Sequence, residues 1–158
     1  MPDKAFIDTN ILIYFISSDS DRKAKAREVI LGSSDAVISS QVISEFISTC
    51  LQKRLLNIEK VSEASHGFMR ALRLEPIEES TIDSALKLTK KYKFSYWDSL
   101  IVAAALENDC SVLLYGGYAA WSTYQQPSSD HQSISRLRAL YRTRSQAAKP
   151  RGVTLGVS

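Results

Sequence analysis

Three carboxylates stand where a packed interior would not ordinarily place a charge: Asp8 in FIDTN, Glu45 in SQVISEF and Asp98 in YWDSLIVAAAL. Asp8 closes the apolar run Ala5-Phe6-Ile7, Glu45 lies between Ile43 and Phe46, and Asp98 opens one of the most apolar stretches of the chain. Acids drawn to one point repel each other and are costly to ionise without a cation. A hard divalent ion such as Mg²⁺ relieves that cost, prefers oxygen ligands and keeps several of its waters. One or two such ions orient a water, lower its pKa and stabilise the leaving oxygen of an in-line displacement on phosphate. Thr9, Asn10, Ser44 and Ser99 stand near the acids in sequence and can support them with hydrogen bonds. Taken singly, each acid has a plainer use: Asp8 as a turn or cap residue, Asp98 as a helix cap, Glu45 as a solvated helix acid. The three together, in this order, indicate a site.

Short strands and helices must position these acids. Residues 4–7 read as a buried strand, followed by the turn Asp8-Thr9-Asn10 and a short apolar helix over 11–16. A polar helix over 20–31 stops at Gly32, and a second strand covers 36–39. An amphipathic helix over 40–53 turns Val42, Ile43, Phe46, Ile47 and Leu51 inward. A further helix over 57–72 turns Ile58, Val61, Phe68 and Leu72 inward, and a strand follows over 74–77. The helix over 80–91 opens on Ser80-Thr81-Ile82-Asp83, which resembles a capping box. A loop over 93–97, an apolar helix over 98–108 and a strand over 111–114 complete the pattern. Alternation of this kind predicts an α/β fold with a short central parallel sheet of about four strands flanked by helices. Sites in such folds lie outside the carboxyl ends of the strands, where all three acids can converge.

With 158 residues the chain suffices for one domain and one core, and 44% hydrophobic with 23% charged residues is ordinary for a globular protein. No apolar run spans a bilayer, which argues against membrane insertion. Asp3 and Lys4 lead directly into the first strand, unlike a signal peptide. Cys50 and Cys110 read as buried free thiols in a reducing compartment, so a cytoplasmic location is expected. The net charge of +3 is unevenly spread. Residues 1–114 carry fourteen Lys/Arg and sixteen Asp/Glu, whereas residues 115–158 carry six Lys/Arg and one Asp. A basic tail can contact nucleic acid non-specifically, and a solvated, poorly ordered appendage has the same composition.

The motifs resemble those of the PIN-domain ribonucleases, in particular the VapC-type toxins of type II toxin–antitoxin systems. The matching residues are Phe6-Ile7-Asp8-Thr9-Asn10-Ile11-Leu12-Ile13-Tyr14, Ser40-Gln41-Val42-Ile43-Ser44-Glu45-Phe46 and Tyr96-Trp97-Asp98-Ser99-Leu100-Ile101-Val102-Ala103-Ala104-Ala105. The resemblance covers residues 4–114 and is specific because all three motifs occur in order. It implies a Mg²⁺- or Mn²⁺-dependent endoribonuclease, dimeric as a rule, restrained by a cognate antitoxin whose C-terminal segment enters the active-site groove. Asp8, Glu45 and Asp98 are then the catalytic and metal-holding acids, with Asp8 and Asp98 as direct ligands and Glu45 direct or through water.

Beyond residue 114 the chain departs from the family pattern, which continues with an acidic TEDxQxG-like segment. Here Leu114 is followed by Tyr115-Gly116-Gly117-Tyr118-Ala119-Ala120-Trp121, and no acid occurs until Asp130. The fourth acidic ligand is missing. Codons permitted for residues 115–126, read one base later, give TEDMQHGLRINN. The single Trp codon forces Gly in that frame, and Tyr118-Ala119 allows only Met or Thr. Residues 1–114 are therefore expected to form the PIN-like domain. Residues 115–158 are expected to be a basic tail that replaces the last acidic loop and strand, through a frameshift or through genuine divergence.

The other candidates weigh less. His66 and His131 are remote from the acids in sequence and read as surface or packing residues. Tyr115, Tyr118, Trp121 and Tyr124 could stack on bases, and Arg136, Arg138, Arg142 and Arg144 could grip phosphates, but a solvated tail explains them more simply. Lys90, Lys91 and Lys93 are better placed to draw an RNA backbone towards Asp98, and Tyr96 and Trp97 could line a groove there. Two rivals stand beside the ribonuclease: a catalytically inactive PIN scaffold that binds an antitoxin-like partner, and a phosphatase of the haloacid dehalogenase type. The latter wants an acid two residues after the first, where this chain has Asn10.

Overall fold

The computed structural model describes residues 4–116 and the backbone of residues 121–125. In chain order the elements are β1 (Lys4–Ile7), α1 (Thr9–Phe15), α2 (Ser20–Gly32), β2 (Asp35–Ser39), α3 (Ser40–Gln52), α4 (Ile58–Ala71), β3 (Arg73–Glu75), α5 (Glu79–Tyr92), α6 (Tyr96–Glu107), β4 (Val112–Gly116) and β5 (Trp121–Gln125). The sheet order is β3-β2-β1-β4-β5. The first four strands are parallel, as expected, with Phe6 opposite Val37 on one side and Leu113 on the other. Beyond the expectation, β4 runs past residue 114 to Gly116, and β5 adds an antiparallel edge. The remaining tail, with His131 and Arg136, Arg138, Arg142 and Arg144, lies outside the described residues.

The chain leaves β1 for β2 on one side and later returns to β4 on the other. A crevice therefore opens at the carboxyl end of β1, the topological switch point of the sheet. Phe6, Ile7, Val37 and Ile38 bury the strands, and Ile11, Leu12, Val42 and Phe46 pack from α1 and α3 into the same core. The rings of Phe46 and Phe68 meet edge to face at 5.3 Å, and Phe68 meets Phe15 in the same way at 5.3 Å. Three helices are thus joined through aromatic contacts. Leu51 and Ile58 do not join them: they are 40% and 56% exposed at the α3–α4 turn, where the helices run past the core.

Helix starts follow the side chains that can cap them. Asp19, Ser39, Asn57 and Ser95 each accept a bond from a backbone N–H in the first turn. The α5 box lies earlier than the sequence suggests, with Glu78 and Thr81 as its members instead of Ser80 and Asp83. Thr81 also donates to Glu107 at 2.6 Å and Thr89 to Ser99 at 2.8 Å, which ties α5 to α6 around Ala85, Leu100 and Ala103. Both cysteines are buried free thiols. Burial pushes the Cys110 thiol up to about 11, against a smaller downward pull from Lys4 and Arg73, so it stays protonated at neutral pH. Among the described residues no helix is long and apolar enough to cross a membrane.

Candidate acidic site at the carboxyl edge of the sheet

Asp8 directly follows β1 and is fully buried. Its backbone N–H donates to the Leu114 carbonyl at 2.9 Å, which seats it between β1 and β4. Asp8 occupies the N-cap position of α1, yet its side chain makes no capping hydrogen bond. The simple cap role is thereby removed. A charge enclosed in this way must be met by donors or a cation.

Asp98 is not the first residue of its helix. Residues 96 and 97, expected in a loop, already belong to α6, and Ser95 is its N-cap. The Ser95 hydroxyl accepts from the Asp98 N–H at 3.1 Å and donates to Asp98 Oδ2 at 2.6 Å. Asp98 thus lies in the first turn, where the helix dipole favours a negative charge, and it is 9% exposed.

Glu45 is half-buried on α3 and gripped at both oxygens. Thr9 Oγ1 donates to its Oε2 at 3.0 Å, and Gln41 Nε2 donates to its Oε1 at 2.8 Å. The same Gln41 nitrogen donates to the Trp97 carbonyl at 3.3 Å. A chain of hydrogen bonds, Thr9–Glu45–Gln41–Trp97, therefore joins the residue after Asp8, Glu45 itself and the residue before Asp98. The three acid-bearing segments are brought to one edge of the sheet.

The expected supporting residues divide. Thr9 takes part. Asn10 Nδ2 donates to the Gly116 carbonyl at 3.1 Å and so pins the end of β4 to α1. Ser44 and Ser99 do not support the acids: Ser44 donates to the Ser40 carbonyl within its own helix, and Ser99 accepts from Thr89. Gln41 is the member that neighbour-by-neighbour reading overlooks, although its i,i+4 spacing to Glu45 was a usable signal. Trp97 is 60% exposed and meets Tyr96 edge to face at 5.5 Å, while Lys90, Lys91 and Lys93 are exposed at the end of α5. His66 is exposed on α4, with Nδ1 2.8 Å from the Ser62 carbonyl and no connection to the acids.

Among the described residues no three His, Cys, Asp or Glu side chains form a metal-holding group. The donors at this edge are nonetheless all oxygen, from carboxylates and a hydroxyl. Mg²⁺ is suited by such a set, being held by one or two carboxylates with several waters retained.

The fold is that of an α/β protein with a candidate acidic, oxygen-donor site at its topological switch point. The chain belongs to the PIN domain family, whose model matches residues 5–118. No curated protein matches it by sequence. Solved structures do share its fold. VapC20 of Mycobacterium tuberculosis, a sarcin-ricin loop cleaving toxin, superposes with a TM-score of 0.59 at 13% identity, over 70% of this chain and 87% of that one. A toxin–antitoxin complex from Klebsiella pneumoniae gives 0.56 at 19% identity, over 70% and 83%. VapBC2 from Rickettsia felis, bound to a DNA fragment from its promoter, gives 0.55 at 18% identity, over 69% and 84%.

Proposed function

We propose that this chain is a metal-dependent endoribonuclease, the toxin component of a toxin–antitoxin pair. The observation that carries the reading is the Thr9–Glu45–Gln41–Trp97 hydrogen-bond chain, which gathers the segments bearing Asp8, Glu45 and Asp98 in a PIN fold. Asp8 and Asp98 would hold Mg²⁺ or Mn²⁺ directly, and Glu45 directly or through water. When bound, the cation supplies an activated water and charge stabilisation for phosphodiester hydrolysis. Lys90, Lys91 and Lys93 draw the RNA backbone towards the acids, and the exposed Trp97 offers a face for an unpaired base. A cognate antitoxin, a homodimeric state and a cytoplasmic location accompany this reading.

Incubation with a structured RNA hairpin and Mg²⁺ or Mn²⁺ tests it. Discrete cuts that vanish with EDTA are expected. Absence of cuts in both metals, with retained binding of an antitoxin-type protein, would favour the inactive scaffold instead. One observation gives that rival substance: no acid occurs between Leu114 and Asp130, so the fourth ligand of the family pattern is absent.

The same reading accounts for the C-terminus as the product of a one-base frameshift from about residue 115. The shifted frame places Glu and Asp at positions 116 and 117. Support comes from the placement of Gly116, bonded through its carbonyl to Asn10, two residues from Asp8. DNA sequence across codons 113–127 decides the matter. Codons that encode the acidic segment one base later are expected, and codons that yield it in no frame sink the idea.

A further inference from the structure

Gln41 lies four residues before Glu45 on α3, with only 7% of its surface exposed. Its Nε2 spends both hydrogens on this site, one on Glu45 Oε1 and one on the Trp97 carbonyl. Both partners can only accept, so the amide must turn its nitrogen to them and its orientation is fixed by chemistry. The amide oxygen, Oε1, is buried and has no hydrogen-bond partner among the described residues. An acceptor kept in that condition is costly, and an apolar side chain of the same length would avoid the cost. Packing therefore does not explain a glutamine here.

Glu45 gives the complementary view. A glutamate has three rotatable side-chain bonds, and fixing them costs entropy. Thr9 of α1 holds one of its oxygens, and Gln41, which also donates to the Trp97 carbonyl of α6, holds the other. Without Gln41 the carboxylate has one tether and no link to the helix that carries Asp98.

We propose that Gln41 is a positioning residue of the acidic site. It sets the Glu45 carboxylate in register with the start of α6. The proposal rests on the metal-dependent reading above. Gln41 does not itself hold the cation; it acts through Glu45.

Mn²⁺ binding to the full chain, followed by electron paramagnetic resonance, tests the role without relying on turnover. Gln41→Met is expected to weaken Mn²⁺ binding by about 10- to 100-fold, the usual loss when a residue supporting a ligand is removed. The circular dichroism spectrum should not change. Glu45→Gln should weaken binding too, and adding Gln41→Met to it should cause little further loss, because the two residues act as one unit. Should Gln41→Met fail to fold, Gln41→Asn keeps the amide but withdraws it by one methylene, and the same loss is expected. A Gln41 variant that binds Mn²⁺ as the parent does overturns the proposal. So does a full, independent loss in the Glu45→Gln background. A parent chain that binds no Mn²⁺ overturns the metal reading itself, a failure visible before any substitution is made.

Discussion

Asp8→Asn is expected to lower metal-dependent RNA cleavage by at least about 10²-fold, the upper end of what loss of a mere supporting residue costs a metal site. The substitution keeps the shape and removes the charge. Asp8 is fully buried and its backbone N–H bond to Leu114 is independent of the side chain, so the fold should persist. Added Mn²⁺, expected to stabilise the parent, should not stabilise the variant to the same degree. Cleavage gels and thermal melts with and without Mn²⁺ check both halves. A variant as active as the parent removes Asp8 from the site.

Phe46→Ala should produce the largest loss of stability, about 3–5 kcal/mol, as for other buried aromatic truncations. Phe46 is wholly enclosed and its ring abuts Phe68, which in turn abuts Phe15. The cavity would open at the junction of α1, α3 and α4. Because α1 begins with Thr9 and α3 carries Gln41 and Glu45, the loss should reach the site as well. Urea denaturation is the measurement. A midpoint close to the parent's would show that the aromatic junction is dispensable. Phe46→Leu, which refills most of the volume, should recover much of the deficit.

Much of the fold could be read from the chain because its core segments obey simple rules. The strand over 4–7 is apolar from Ala5 to Ile7, as the covered part of a buried strand must be. Leu51 and Ile58 escaped the reading because periodicity reports which face of a helix is apolar, not where its partner ends. The edge strand β5 escaped it because residues 121–125 carry no strong alternation, and pairing with β4 determines their state. The acid-bearing segments are legible in the sequence, but the residues that link them are only partly so. A helix turns about 100° per residue. Ser99, next to Asp98 in sequence, therefore faces α5, whereas Gln41, four residues from Glu45, shares its face. Adjacency along the chain misleads on a helix.

The end of β4 fits closely against α1. A methyl group built on Gly116 would lie 2.5 Å from the Tyr14 ring, and the same residue's carbonyl receives the Asn10 amide. In the gene this has a consequence. Under the proposed frameshift, a one-base deletion that returned the acidic segment would bring a side chain into the space that Tyr14 now fills. The ring would have to swing aside for the new carboxylate to enter. On that proposal, the reading frame and the rotamer of one tyrosine are coupled.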